Sequence, residues 1–473
     1  MSELHDLTIT EQVAALASGE TSSFELTSHY LDRIDRLDGR LRCFITVVAD
    51  EALEAARARD KERAAGAAAG LLHGVPVALK DLYPAADMRT TFGSAALADL
   101  VTPADGPVVA ALRAAGPVFV GKTNTPEFGP VCYTDTALIG DTETPYGEGL
   151  SASGSSGGAA AAVAAGLVGV GHGSDGLGSL RTPAANCGLV GFKVTRGRSA
   201  GSGIGWLALA TEGALTRTVA DTALFLDAVG PAVGVDLWHA AATSDGFRRA
   251  VGREPGALRI GVLEAPSADI EVAPDCLDAV RRTAGVLENL GHQLVPLDLA
   301  ALPAADEVRP AAKVILATSM AVLLATVIPA ELHDKLMPYT RWLAQLGPYS
   351  AVDLSQAQTT LYNAAVRYRS LLADYDVVLS PTTTAPPQPT SELRLDDGEE
   401  SFQAMGRWSA FTPMANISGT PAVSLPVHAT STGLPIGVQL SGPAAADERL
   451  ISLAAQLEQA IGWADRHPEV WSA

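Results

Sequence analysis

The stretch SGSSGGAAAAVAAGLVGVGHGSDGLGSLRTPAANCGLVGFK (153–193) decides how the chain folds. By composition, the Gly, Ser and Ala of residues 151–205 would suit a flexible solvated tether. The order within the stretch argues otherwise. An Ala-rich helix is expected over 159–165, and the apolar segments 167–170 and 189–194 have no reason to occur in a solvated linker. Small residues are also what close approach between backbones demands. The stretch reads as ordered core, a helix and short buried strands joined by tight loops.

On the N-terminal side, VPVAL (75–79) and PVFVG (117–121) alternate with Gly- or Ala-rich turns and helical stretches, the pattern of an α/β protein. Before them, Ser22 and Glu25 form a capping-box signature, with Leu26, Tyr30, Ile34 and Leu37 on one helical face. A second helix is expected over 50–65, stopped by Gly66. On the C-terminal side, Thr218 and Asp221 open a helix expected to end at Gly230. LRIGVLEA (258–265), a helix at 275–290 and HQLVPLDL (292–299) make a strand, helix, strand unit, and helices are expected over 306–345 and 354–373. YDVVLSPTTTAPP (375–387) is a strand entering a Pro/Thr loop. PAVSLPV (421–427) and PIGVQLSG (435–442) read as paired strands, and Leu450, Leu453, Leu457 and Ile461 space a closing helix.

No internal repeat or linker divides the 473 residues, so one domain is expected: N-terminal helices (1–70), a catalytic core (71–230), a variable substrate-shaping region (231–374) and closing strands with a helix (375–473). Apolar residues make up 47% and charged residues 18%, ample for a core. A net charge of -20 with no Lys/Arg run disfavours nucleic acid and anionic membrane as partners. The polar start MSELHDLTIT lacks signal-peptide character, and the apolar run 159–170 is too short and Gly-broken to span a bilayer. No transmembrane helix is expected. Cys43, Cys132, Cys187 and Cys276 are scattered, with no metal or disulfide spacing, so a reducing cytoplasm fits and no metal or organic cofactor is expected.

Three polar residues stand out against these surroundings. Lys80 ends VPVALK, where burial would favour its neutral amine, a general base. The competing reading is a strand-end lysine that reaches water or pairs with Asp81. Ser179 lies in GSDGLGSLR, whose successive amides could converge on an oxyanion, or could form a plain turn. Ser155 and Ser156 precede a helix, where capping is the default role.

The combination resembles the amidase signature family of serine hydrolases. HGVPVALKD (73–81), TTFGS (90–94), KTNTPEFG (122–129), the 153–193 stretch, ANISGTPAVSLPV (415–427) and GLPIGVQLSGP (433–443) resemble its strings in order, whereas 231–374 matches only loosely. Ser155 and Ser179 are 24 positions apart, as the family's two catalytic serines are. The resemblance implies a central twisted mixed β-sheet flanked by helices (α/β/α). It also implies Ser179 as nucleophile, Ser155 as a bridging serine preceded by a cis peptide, and Lys80 as base. Amides of Gly176, Leu177, Gly178 and Ser179 would form the oxyanion hole, with Asp175 and Arg181 bracing the loop as an ion pair and Ser156 in the same network.

Departures point to altered substrate preference. The family has Gly-Gly before the nucleophile, where Leu177-Gly178 stands, and a threonine is more usual at Gly176. A positive φ at Leu177 would strain it. Ser153 replaces a usual glycine, and Thr144-Pro145-Tyr146 an Asn-Pro-Trp string. The expected activity is hydrolysis of small or aryl amides, with carbamates (urethanes) and esters within reach of the same chemistry. Two alternatives stay open: a weakly active binding scaffold, and the glutamine-hydrolysing A-type subunit of an amidotransferase. The expected partner is the small-molecule amide or carbamate, with a homodimer one option for assembly.

Overall fold

Successive side chains of β2 (Pro76–Lys80) point to opposite faces of a sheet, and both faces are covered. Val77 and Leu79 pack with Ile9, Leu112 and Phe225, while Ala78 packs with Val163 and Leu180. This double burial explains why the strand reads as a continuous apolar run rather than an alternating one.

The computed structural model describes all residues except 1–2, 68–69, 202–204, 231–237, 239, 241–242, 244–245 and 268. In chain order the other strands are β1 (Phe44–Val47), β3 (Val118–Thr123), β4 (Asp135–Thr136), β5 (Gly140–Asp141), β6 (Val170–Asp175), β7 (Val190–Lys193), β8 (Thr211–Thr216), β9 (Arg259–Val262), β10 (Gln293–Pro296), β11 (Val377–Pro381), β12 (Ala422–Ala429) and β13 (Pro435–Ser441). Eleven form one sheet in the order β1-β3-β2-β6-β8-β7-β12-β13-β11-β9-β10, and β4 pairs with β5 apart from it. The sheet is mixed: β3, β2 and β6 run parallel, as do β11, β9 and β10, and the strands between are antiparallel. With helices on both faces, this is the expected α/β fold.

Residues 151–176 are all buried, which rules out a tether. The helix Gly157–Ala164 lies on β6 so closely that a Cβ at Gly171 would stand 2.9 Å from that of Ala159. The capping box at Ser22 and the cap at Thr218 form as read, although the latter helix ends at Ala228, short of Gly230. The helix expected over 306–345 is divided into Ala305–Thr326 and Pro338–Leu346 by a 3-10 segment, because Pro329 and Pro338 cannot continue an α-helical hydrogen-bond ladder. The segment Leu299–Thr326 is long and apolar enough to span a bilayer by length and composition alone, which the sequence reading did not anticipate. In the fold one face of its helical part walls a cleft.

Candidate active site

β2, β3 and β6 run parallel and end together at Lys80, Thr123 and Asp175, the edge where open α/β sheets place their ligands. The β2–β6 ladder pairs only Val77 with Val170 and Ala78 with Gly171. Beyond it, Lys80 enters a gap kept open by a glycine, since a Cβ at Gly173 would stand 2.9 Å from Ser156 Oγ.

Lys80 is fully buried and its Nζ lies 2.8 Å from Ser155 Oγ, 2.9 Å from Ser156 Oγ and 3.3 Å from Ser174 Oγ. It makes no ion pair with Asp81, which instead accepts from Thr91 at 2.5 Å and faces Lys122 at 3.8 Å. Burial lowers the Lys80 pKa to about 7, against the opposing pull of Glu212 and Asp175. Ser156 occupies the N-cap position but does not cap. Its hydroxyl donates to Ser174 O at 3.2 Å and accepts from Lys80, so the capping expectation gives way to a contact with the amine.

The peptide joining Gly154 to Ser155 is cis. Thr182 Oγ1 donates to both Gly154 O and Gly178 O at 3.1 Å, and Ser156 N donates to Ser179 O at 3.3 Å. These bonds tie the bridging segment to the loop that carries Ser179. Among the described residues Ser179 Oγ has no hydrogen-bond partner, and its half-buried side chain borders the cleft. The structure thus joins Lys80 to Ser155 and seats Ser179 on the adjoining loop, with no direct bond between the two serine hydroxyls.

Asp175 and Arg181 form a two-pronged ion pair, Nε to Oδ2 and Nη2 to Oδ1, both at 2.9 Å and fully buried. Burial pushes the Asp175 carboxyl up, but Arg181 and Asn416 override it and hold the group well below the usual carboxylate range. Asp175 also accepts from the amide of Gly178 at 2.7 Å. This corrects one expectation: the Gly178 N–H is committed to Asp175 and cannot serve an oxyanion. The amides of Gly176, Leu177 and Ser179 have no acceptor among the described residues. The positive φ of the loop falls on Gly178 (135°), so Leu177 escapes the strain considered for it, and Thr412 Oγ1 fixes its carbonyl at 2.6 Å. Ser153 does take a left-handed φ of 66°, where glycine would be unstrained.

The cleft above Ser179 encloses about 1370 Å³ including its mouth. Its walls are mainly apolar, among them Leu177, Leu316, Phe402, Met405 and Ile417. A large apolar cleft with a few convergent polar groups at its floor is the usual form of a small-molecule site.

The amidase family model matches residues 25–451. The chain belongs to the amidase family. The mycobacterial protein named "Putative amidase AmiA2" (Mycobacterium tuberculosis) is 37% identical over 98% of this chain and 95% of its own length. The A-type subunit of glutamyl-tRNA(Gln) amidotransferase from Moorella thermoacetica is 36% identical over 99% of both chains. Among solved structures, a 6-aminohexanoate cyclic dimer hydrolase in complex with its substrate superposes with a TM-score of 0.91 at 30% identity, covering 99% of this chain and 100% of the other. A bacterial aryl acylamidase of the amidase signature family gives 0.90 at 26% identity, with full coverage of both.

In this amidase the sequence reading missed the groups behind Lys80. Tyr83 donates to Glu212 Oε1 at 2.9 Å. His172 Nε2 lies 3.4 Å from Glu212 Oε2, and neither atom has a hydrogen-bond partner among the described residues. Burial raises Glu212 to about 8 and lowers His172 to about 3. The available signal was a lone carboxylate in the small-residue strand TEGALT, opposite a strand with His172 and Ser174 two apart on one face. Glu212 is the larger of the two charges that raise Lys80. Burial keeps Glu212 largely protonated where Lys80 titrates, so Glu212→Gln is expected to leave the acid limb of the kcat/KM pH profile nearly in place, while a clear move to lower pH would show an ionised Glu212 beside the amine.

Proposed function

We propose that the protein is an amide hydrolase in which Ser179 is the nucleophile, Ser155 the relay and Lys80 the base. The observation that carries this reading is the 2.8 Å contact between a fully buried Lys80 and Ser155 at the floor of an apolar cleft bordered by Ser179.

The hydrogen count supports a direction for the relay. Ser156 gives its proton to Ser174 O, so its hydroxyl accepts from Lys80. Ser174 Oγ, at 3.3 Å, takes a second N–H of a neutral amine, which leaves the lone pair for the Ser155 proton. Ser155 in turn takes the Ser179 proton as Oγ attacks the substrate carbonyl. The amides of Gly176, Leu177 and Ser179 would receive the oxyanion. Lys80 ammonium then returns the proton through Ser155 to the departing nitrogen, the C–N bond breaks, and an acyl ester remains on Ser179. Water, deprotonated by the same relay, releases the carboxylic acid and regenerates the enzyme. Serine contacts between relay groups commonly tighten only once substrate is bound.

Small or aryl amides suit the apolar cleft, and carbamates (urethanes) and esters could undergo the same acyl transfer. We read the chain as one catalytic unit working in the cytoplasm, with a homodimer as the assembly to test. The similarity to the amidotransferase chain of Moorella thermoacetica favours a second reading, glutamine hydrolysis with ammonia passed to a partner. A hydrolysis screen over aliphatic amides, anilides, carbamates, esters and glutamine, with the Ser179→Ala protein as control, separates the two. Cleavage of apolar amides supports the first, and cleavage of glutamine alone supports the second.

A further inference from the structure

Arg309 is the sole charged side chain among the described residues lining the cleft. The helix Ala305–Thr326 lays Ala305, Val308, Arg309, Ala312 and Leu316 along the cleft, the spacing of a single helical face. Leu177, two residues before Ser179, packs on the clusters of both Leu316 and Val308, so the row runs beside the loop that carries Ser179. Arg309 lies seven positions nearer the helix start. At 1.5 Å of rise per residue, that is about 10 Å along the helix from Leu316.

The arginine is held in place. Its Nη1 donates to Gln403 Oε1 at 2.8 Å, and its stem crosses Gly406, where a Cβ would stand 3.0 Å from Arg309 Cδ. No carboxylate among the described residues pairs with it. Glu399 is taken by Lys313 at 2.7 Å and by Gln403 at 2.9 Å. Glu307 pairs with Arg367 at 2.5 Å, and Asp306 is exposed and outside the cleft lining. Asp269, also exposed, feels the field of Arg309 without forming an ion pair. A positioned, unpaired guanidinium on an apolar wall fits an anion that arrives on an apolar stem, and its planar fork matches a carboxylate.

Resting on the hydrolase reading above, we infer that the cleft selects amides whose acyl chain ends in a carboxylate, received by Arg309. The spacer between carboxylate and scissile carbonyl is apolar, as the cleft wall is. The protein's net charge of -20 repels anions at long range, so the preference comes from this local contact.

The test compares the mono-para-nitroanilide of octanedioic acid with its methyl ester. The wild type is expected to show a KM about 10- to 100-fold lower for the free acid. Arg309→Met should bring the two together, and Arg309→Lys should restore part of the difference. Equal KM values in the wild type would overturn the inference while leaving the hydrolase reading intact. If neither anilide is cleaved, that reading loses its support and a binding measurement decides the role of Arg309. Calorimetric titration of the Ser179→Ala protein with octanoate and octanamide should show tighter binding of octanoate, with the difference lost when Arg309→Met is added. Equal binding, or none, would overturn the inference.

Discussion

Ser179→Ala is expected to lower kcat by about 10⁴-fold or more, the scale seen when a nucleophile is removed from a serine hydrolase that retains its oxyanion site. The change should leave the fold intact. Ser179 Oγ has no hydrogen-bond partner among the described residues and its side chain is half-buried, so stability should shift by no more than about 0.5 kcal/mol. The loop is held without the hydroxyl, by Asp175 on the Gly178 amide, Thr412 on the Leu177 carbonyl and Thr182 on the Gly178 carbonyl. Steady-state hydrolysis beside thermal unfolding checks both halves. Retained activity at normal stability would remove Ser179 from the mechanism.

Asp175→Ala should damage stability and activity together. Asp175 accepts from the amides of Gly178, Leu180 and Arg181, from Nε and Nη2 of Arg181 and from Asn416 Nδ2. Its removal leaves the Arg181 guanidinium buried with Thr412 O, Gln439 and Asn416 as neutral partners. Breaking one side of a buried ion pair costs about 3–5 kcal/mol, a large fraction of the stability of an ordinary domain. The loop that carries Ser179 loses its brace at the same time. The sign of the pH dependence follows from the depressed carboxyl: its stabilisation is present above its unfolded pKa of about 3.9 and is lost as pH falls into the acid range. The deficit of the variant, measured by denaturant unfolding, should therefore be full at neutral pH and narrow in acid. A variant as stable as the wild type at pH 7 would contradict this account of the loop.

The fold was legible where local chemistry dominates. VPVAL and PVFVG announce strands covered on both faces, and the Ser22 and Thr218 caps mark helix starts that the fold keeps. What local chemistry does not carry is the pairing of distant strands. The opening between β2 and β6 that receives Lys80 depends on where their ladder stops, and no short string records that. The same limit applied to the site. Lys80 and Ser155 were found through their combination with Ser179 and the family resemblance of their strings, since alone they read as a strand-end lysine and a helix cap. Glu212 and Tyr83 were not, because each is an ordinary residue until β8 is laid beside β6. The destination of the Gly178 amide was equally hidden, since whether a loop N–H turns toward a cleft or toward Asp175 is set by φ values near Gly178. Arg309 belongs to the region where the sequence resemblance was weakest, and its setting depends on contacts with Gln403 and Gly406 nearly a hundred residues away.

The most direct measurement is covalent labelling with a fluorophosphonate at a series of pH values, read by mass spectrometry. One label per chain on the peptide containing Ser179, forming faster as pH rises through about 7 where Lys80 loses its proton, is the predicted result. A label on another residue, no label, or a rate on Ser179 indifferent to pH across that range would contradict a buried amine driving this serine.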